Sequence, residues 1–545
     1  MYWVIIFLFP TISSTCSISP PTVNLNGTLL EGSDAVPGQE FFGGIPYAET
    51  PIGELRFRLP VPKTWVGVKK FDATEFSLSC LQPPPIPSSE DCLTLNVIRP
   101  AGISVGDKLL PVLVWVHGGA FVAEGSSLFN ASGIVTQSVS RGTPIIFVSF
   151  NYRLGPLGFP PGQEAADTGI LNLGLRDLMV AFEWVHDNIE AFGGDPRKVT
   201  TFGISAGAAL IADLYLNPKI ENFVRAFSFQ SGFPSLAPII NASHGQRNWD
   251  NFVQAIPECR STFANLTLGC LRTVDSGSLV NAITVATGEA DDLIPWVPTL
   301  DGPGGIIPDL PSKLLNEGHF AHLPFIAGDV LDEGTAFVPS TTNSTQTITD
   351  GLTPYFAQTS VADPVLTATF DRMLQLYPDI PALGSPYNTG NETFGLSSQF
   401  KRSASLFGDI FFIAQRRALS QIAVTQGIKS FGYSFTDPPP PNEFPVFWGV
   451  PHATDANYFF GTLPSLNASV AAIHLAEQMI DYWLSFTTSL DPNDGKGSKR
   501  AHWPEYTSQD QVLIQLNSAN TTVIPDNFRK TQITFLNSQA DVLHH

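Results

Sequence analysis

The chain has 545 residues, 43% of them apolar, enough to bury a large core, and no linker or low-complexity stretch divides it. Acidic residues outnumber basic ones, 49 against 29, for a formal net charge of −20. That balance repels phosphate backbones and anionic surfaces, which argues against nucleic acid as a partner.

The chain opens with an apolar run, Tyr2 to Phe9, followed by Ser13, Ser14 and Thr15. It reads as the hydrophobic region and cleavage zone of a secretory signal, with no Lys or Arg ahead of it, and it is too short to span a bilayer. We expect residues 1–18 to be a signal and residues 19–545 to form one domain with no integral membrane segment. Sequons at Asn26, Asn130, Asn241, Asn265, Asn343, Asn391, Asn467 and Asn520 suit a secreted glycoprotein. Without Cys16, the cysteines Cys80, Cys92, Cys259 and Cys270 form an even set of two near-neighbour pairs, read as two short-loop disulfides. No CxxC or HExxH spacing points to a metal, and no cofactor is expected.

Apolar runs at 109–116, 144–150, 199–202, 226–229 and 324–327 are short and mostly bounded by turn residues, as buried strands are. Leu175, Leu178, Phe182, Val185, Ile189 and Phe192 recur at steps of three and four, the stripe of an amphipathic helix that Gly193 to Pro196 end. Such strands alternating with helices predict an α/β chain with a large, mostly parallel sheet covered on both faces. The less regular stretches near 235–320 and 340–400 are expected to build the wall of a substrate pocket.

The predicted strand at 199–202 runs into Gly203, Ile204, Ser205, Ala206 and Gly207, a GxSxG followed by small residues. A tight strand-to-helix turn needs small flanks and projects the serine hydroxyl, so Ser205 is the candidate nucleophile. After an earlier strand come His117, Gly118, Gly119, Ala120 and Phe121. The amides of Gly118 and Gly119, with that of Ala206, are candidate donors to an oxyanion. The chain order serine, acid, histidine makes His117 and His186 too early for the base. His452, in a loop between Gly449 and Tyr458, is the candidate, with His502 as competitor. For the acid, Asp329, Asp332 and Glu333 all follow the run at 324–327, and any of them could hold an imidazole N–H.

Separated motifs then carry a resemblance: GIPYAETPIGELRF at 44–57, EDCLTLNV at 90–97, HGGAF at 117–121, NYRLGPLGF at 151–159, FGGDPRKVT at 192–200 and GISAG at 203–207. From Phe42 to about Trp483 the chain resembles the type B carboxylesterase and lipase family, which includes fungal lipases and cholinesterases. The resemblance implies the α/β-hydrolase fold with inserted pocket-forming segments. It assigns the acid to Glu333, with Asp332 as fallback, matches His452 to the family's histidine loop, and makes Ser231 a support for the acid. It also implies the pairs Cys80 with Cys92 and Cys259 with Cys270. Two departures stand out. Ile204 replaces the family's usual glutamate before the nucleophile. The loop between Cys80 and Cys92, a long mobile lid in fungal lipases, here encloses only 11 residues stiffened by Pro83, Pro84, Pro85 and Pro87. The expected function is a secreted carboxylesterase with an acyl intermediate on Ser205 and a rigid lid, acting on small medium-acyl, aryl or hydroxycinnamoyl esters and extending to lipid and sterol esters. The alternatives are a triacylglycerol lipase or sterol esterase and, in another class, a non-catalytic cholinesterase-like binding protein.

Overall fold

The computed structural model describes residues 20–34, 36–104, 106–239, 241–263, 265–291, 293–357 and 363–545, so the apolar run at 2–9 and its cleavage zone lie outside the described residues. The central sheet has ten strands: β1 (Gln39–Pro46), β2 (Thr94–Pro100), β3 (Leu110–Val116), β4 (Ile146–Phe150), β5 (Gly194–Ile204), β6 (Ala226–Gln230), β7 (Phe325–Val330), β8 (Ser430–Phe435), β9 (Val512–Leu516) and β10 (Thr522–Pro525). Across the sheet they run β1-β2-β4-β3-β5-β6-β7-β8-β9-β10, and the block from β4 to β9 is parallel. Antiparallel pairings finish both edges. All five apolar runs are strands, and they are neighbours at the centre of the sheet, where both faces are covered and side chains on either face must be apolar.

The covering helices are α1 (Leu173–Asn188), α2 (Ala206–Tyr215), α3 (Ser398–Gly408), α4 (Ala414–Thr425) and α5 (Val470–Ser489). Residues of α1, α2 and α4 share one apolar cluster with Val112, Val114 and Val116. The alternate residues Leu113 and Trp115 join α5 in a second cluster, so the period-two pattern of β3 divides the core between the two faces. The stripe read from Leu175 to Phe192 is α1 followed by a tighter turn at Ile189–Phe192, and Gly193 stops it at φ 87°.

Strands outside the central five carry polar or small residues that mask the pattern. In β2, Asn96 is buried but donates to the hydroxyls of Ser126 and Ser149, and buried Arg99 pairs with Glu40 at 2.6 Å. β1 carries Gly43 and Gly44 where its register shifts against β2. The stretches near 235–320 and 340–400 are more regular than expected, with helices at Gln246–Gln254, Ser276–Gly288, Thr345–Phe356 and Pro364–Leu376. Among the described residues, no helix is long and apolar enough to cross a membrane.

A buried charge cluster joins α4 to the sheet. Arg416, 0% exposed, donates from Nε to Asp329 at 2.6 Å and from its other two nitrogens to Asp526 at 2.8 and 2.9 Å. Arg417 and the Tyr506 hydroxyl also donate to Asp526. Burial pushes the Asp526 carboxyl up, but the two guanidiniums outweigh it and hold the group well below the usual range. A depressed carboxylate adds stability above its unfolded pKa of about 4 and loses that contribution as pH falls. Asp526→Ala should therefore cost about 3–5 kcal/mol in urea unfolding at pH 7, because it leaves the buried Arg416 and Arg417 with only Asp329 to neutralise them, and the deficit should shrink below about pH 4.

Candidate active site

Ser205 sits between the end of β5 and the first residue of α2 with φ 55° and ψ −129°, a conformation that costs a non-glycine residue about 1–3 kcal/mol. Its neighbours enforce it. A Cβ at Gly207 would collide with the carbonyl oxygens of Val116 and His117, and one at Gly203 would come within 2.7 Å of the Gly207 backbone. Only glycine lets α2 leave the strand this close to the end of β3. The Ser205 N–H donates to the Gln230 carbonyl of β6 at 2.9 Å, which pins the turn to the next strand.

The loop after β3 passes beside this serine. A Cβ at Gly118 would lie 3.2 Å from the Ser205 Cβ. Gly119, Ala120 and Phe121 are all left-handed, at φ 90°, 52° and 63°. The amides of Gly118, Gly119 and Ala206 have no hydrogen-bond acceptor among the described residues, so three donors stay available near the serine. The Tyr152 hydroxyl holds the loop by donating to the His117 carbonyl at 2.9 Å and the Gly118 carbonyl at 3.3 Å, and its ring stacks on His117 at 4.4 Å. Burial pushes His117 down to about 4, so its ring stays neutral. Sequence reasoning passed over Tyr152, although it lies in the NYRLG motif.

The three competing carboxylates are sorted by their partners. Asp329 faces Arg416. Asp332 accepts from the Ser385 hydroxyl and the Tyr387 amide at 2.8 Å each, and from the Val450 amide at 2.9 Å. It thus latches the loop that carries His452, and Thr335 adds a second tie by donating to the Trp448 carbonyl at 2.7 Å. Glu333 alone meets the imidazole: its Oε2 lies 2.6 Å from Nδ1 of His452, and its Oε1 accepts the Val330 amide at 2.9 Å. The fallback residue Asp332 is therefore occupied elsewhere. Ser231, expected to support the acid, donates its N–H to the Gly328 carbonyl, but its buried hydroxyl makes no hydrogen bond among the described residues; the second oxygen of Glu333 is taken by the Val330 amide.

His452 leaves its Nε2 buried without a hydrogen-bond partner among the described residues, and its ring packs against Phe337 at 5.0 Å and Phe412 at 4.9 Å. Phe412 belongs to a π-helical turn, Asp409–Ile413, between α3 and α4. The competitor His502 is exposed. Ser205, Glu333 and His452 thus follow β5, β7 and β8 and leave the same carboxyl-terminal edge of the parallel sheet, where ligands bind in open α/β sheets.

Both disulfides join the expected cysteines, Cys80 to Cys92 and Cys259 to Cys270. The loop closed by Cys80 and Cys92 rests on the Gly-rich loop: the Gln82 amide donates to the Glu124 carbonyl at 2.7 Å and accepts from its N–H at 2.8 Å. Near its other end, buried Glu90 forms a bidentate pair with Arg56, both bonds 2.7 Å, and accepts from the Ser276 hydroxyl.

The sequence matches the carboxylesterase family over residues 19–536. It is 35% identical to Secreted lipase 1 of Botryotinia fuckeliana, covering 95% of this chain and 92% of that one. It is 32% identical to Lipase 2 of Geotrichum candidum, with coverage of 95% and 97%. The crystal structure of Aspergillus niger EstA superposes with a TM-score of 0.84 over 97% of this chain and 99% of that one, at 23% identity. The chain therefore belongs to the carboxylesterase family, and it is a carboxylic-ester hydrolase with the α/β-hydrolase fold.

Proposed function

We propose that the protein is a secreted carboxylesterase that acts through an acyl intermediate on Ser205, with His452 as base and Glu333 as the partner that orients it. The observation that carries this reading is the His452 imidazole, held at Nδ1 by a buried carboxylate while Nε2 stays buried and unpaired. An imidazole fixed in that tautomer can take a hydroxyl proton. His452 takes the Ser205 proton, the oxygen attacks the ester carbonyl, and the amides of Gly118, Gly119 and Ala206 receive the negative charge. The imidazolium returns the proton to the leaving alcohol, and water repeats the sequence to release the acid.

Secretion is supported by the two disulfides, by the secreted relative, and by the exposure of all eight sequon asparagines. The substrate is a small ester with an apolar or aromatic acyl group. Phe337 and Phe412 pack against the His452 ring at 5.0 and 4.9 Å, and behind Phe337 lie the buried rings of Phe407, Phe411, Tyr355 and Phe356. Aromatic neighbours of the base suit medium acyl, aryl or hydroxycinnamoyl groups, and lipid or sterol acyl chains by extension. A second reading, a triacylglycerol lipase, is favoured by the lipase names of the relatives. Against it stands the short disulfide loop, pinned by Gln82 and Glu90 and too constrained to act as a swinging flap.

Ser205→Ala should reduce turnover of a soluble chromogenic ester at least about a thousandfold, and retention of even a tenth of wild-type activity rejects the assignment. Glu333→Gln should lower kcat by about 10³–10⁴ with little change in KM. Asp332→Asn should instead lower thermal stability by about 1–3 kcal/mol and leave most of the turnover. Rate against substrate concentration should pass smoothly through the solubility limit; a sharp rise at the emulsion threshold points to a mobile lid and a true lipase.

A further inference from the structure

The π-helical turn that presents Phe412 to His452 is fastened at both ends by one short segment after β10. On one side Arg529 meets Asp409, the fully buried first residue of the turn, through two bonds: Nε to Oδ2 at 2.7 Å and a terminal nitrogen to Oδ1 at 2.6 Å. The Tyr377 hydroxyl donates to the same Oδ2 at 2.7 Å. On the other side Asp526 accepts from Arg416 and Arg417, near the start of α4. The segment thus offers opposite charges to the two ends of the turn. Sliding the turn by one residue would leave a carboxylate or a guanidinium unpaired in the interior. Arg529 is itself held, at φ 45°, with its guanidinium 4.3 Å from the Tyr387 ring and 5.1 Å from that of Phe528.

The winding of the turn decides which ring reaches the base. The Ala414 amide donates to the Asp409 carbonyl, five residues back, and the Gln415 side chain donates to the Ile410 carbonyl at 3.3 Å. Each residue of an α-helix advances about 100° round the axis, so taking the extra residue out of the turn would swing Phe412 off the imidazole. As wound, Phe411 faces Phe407, Tyr355 and Phe356. Phe412 faces His452 at 4.9 Å and stacks at 5.7 Å on Phe337, the second ring against the imidazole. Glu333 holds His452 at one nitrogen only, and the two phenyl rings stand against the rest of its ring.

We propose that Asp409 and Arg529 are positioning residues for the reaction: their ion pair holds the π-helical turn in the winding that keeps Phe412 against His452, so that the imidazole keeps the orientation proton transfer needs. The proposal rests on the reading of Ser205, Glu333 and His452 above.

The test is a double-mutant cycle on a soluble chromogenic ester, with Arg529→Lys, Phe412→Leu and the two combined. Lysine keeps the charge but loses the two-pronged contact. Each single change should lower kcat by roughly tenfold with KM changed less than about twofold, and the double variant should also stay about tenfold down, since the clamp acts through the ring. Independent effects multiply, so a double variant about a hundredfold down overturns the proposal, as does a wild-type kcat in either single variant. The rate at which a p-nitrophenyl methylphosphonate labels Ser205 should fall with kcat, because that step needs the base but seats no acyl chain. Unchanged labelling shows that Phe412 acts on the acyl group and also overturns the proposal. Where Arg529→Lys fails to fold, Tyr377→Phe replaces it, removing a single bond to Asp409. Its kcat should drop by about two- to threefold alone and not at all beside Phe412→Leu, and an equal drop in both backgrounds refutes the role. Activity in Ser205→Ala or His452→Ala removes the underlying reading, whereas inactivity of both beside a multiplicative cycle removes only the clamp.

Discussion

A serine backbone forced to φ 55° is the constraint on which the site depends. It survives because β5, α2 and the end of β3 approach so closely that neither Gly203 nor Gly207 has room for a methyl group. The same crowding brings Gly118 beside the serine. The energy stored at one residue is thus supplied by the packing of a sheet whose centre is almost wholly apolar.

The acidic segment after β7 shows how tertiary contacts give different duties to chemically similar groups. Asp329, Asp332 and Glu333 lie within five positions, yet one neutralises a buried arginine, one latches a distant loop and one meets an imidazole. The first two also serve the third. Arg416 ties α4 beneath the segment, and Asp332 fastens the backbone of Val450 two residues from His452, so both brace the loops while Glu333 alone contacts the imidazole.

The Gly-rich loop is braced from outside the sheet. Arg56 binds Glu90 bidentately and donates to the carbonyls of Leu271 and Val274, joining the first disulfide loop to the segment that follows the second disulfide. Gln82 carries that rigidity inward to Glu124 and the Gly-rich loop. Disulfide, buried ion pair and loop are therefore joined in one bonded network.

Much of the centre was legible in residue order. The apolar runs of β3 to β7 announce themselves because a strand covered on both faces must be apolar throughout, and the small flanks of Ser205 and the glycines after β3 are required by local backbone geometry. β1, β2 and β8 were not legible, since Gly43, Asn96, Arg99 and Gly432 interrupt their patterns, and buried Asn96 and Arg99 find their partners elsewhere in the chain. Local chemistry likewise left Asp329, Asp332 and Glu333 equivalent, and gave no sign that Tyr152 steadies the loop. Residue order by itself determined what short-range sterics and hydrophobic periodicity dictate: the central strands, the strained turn and the chemical types available. Only the tertiary structure decided which carboxylate meets which cation or ring, because that choice depends on distances between segments 87 to 119 residues apart.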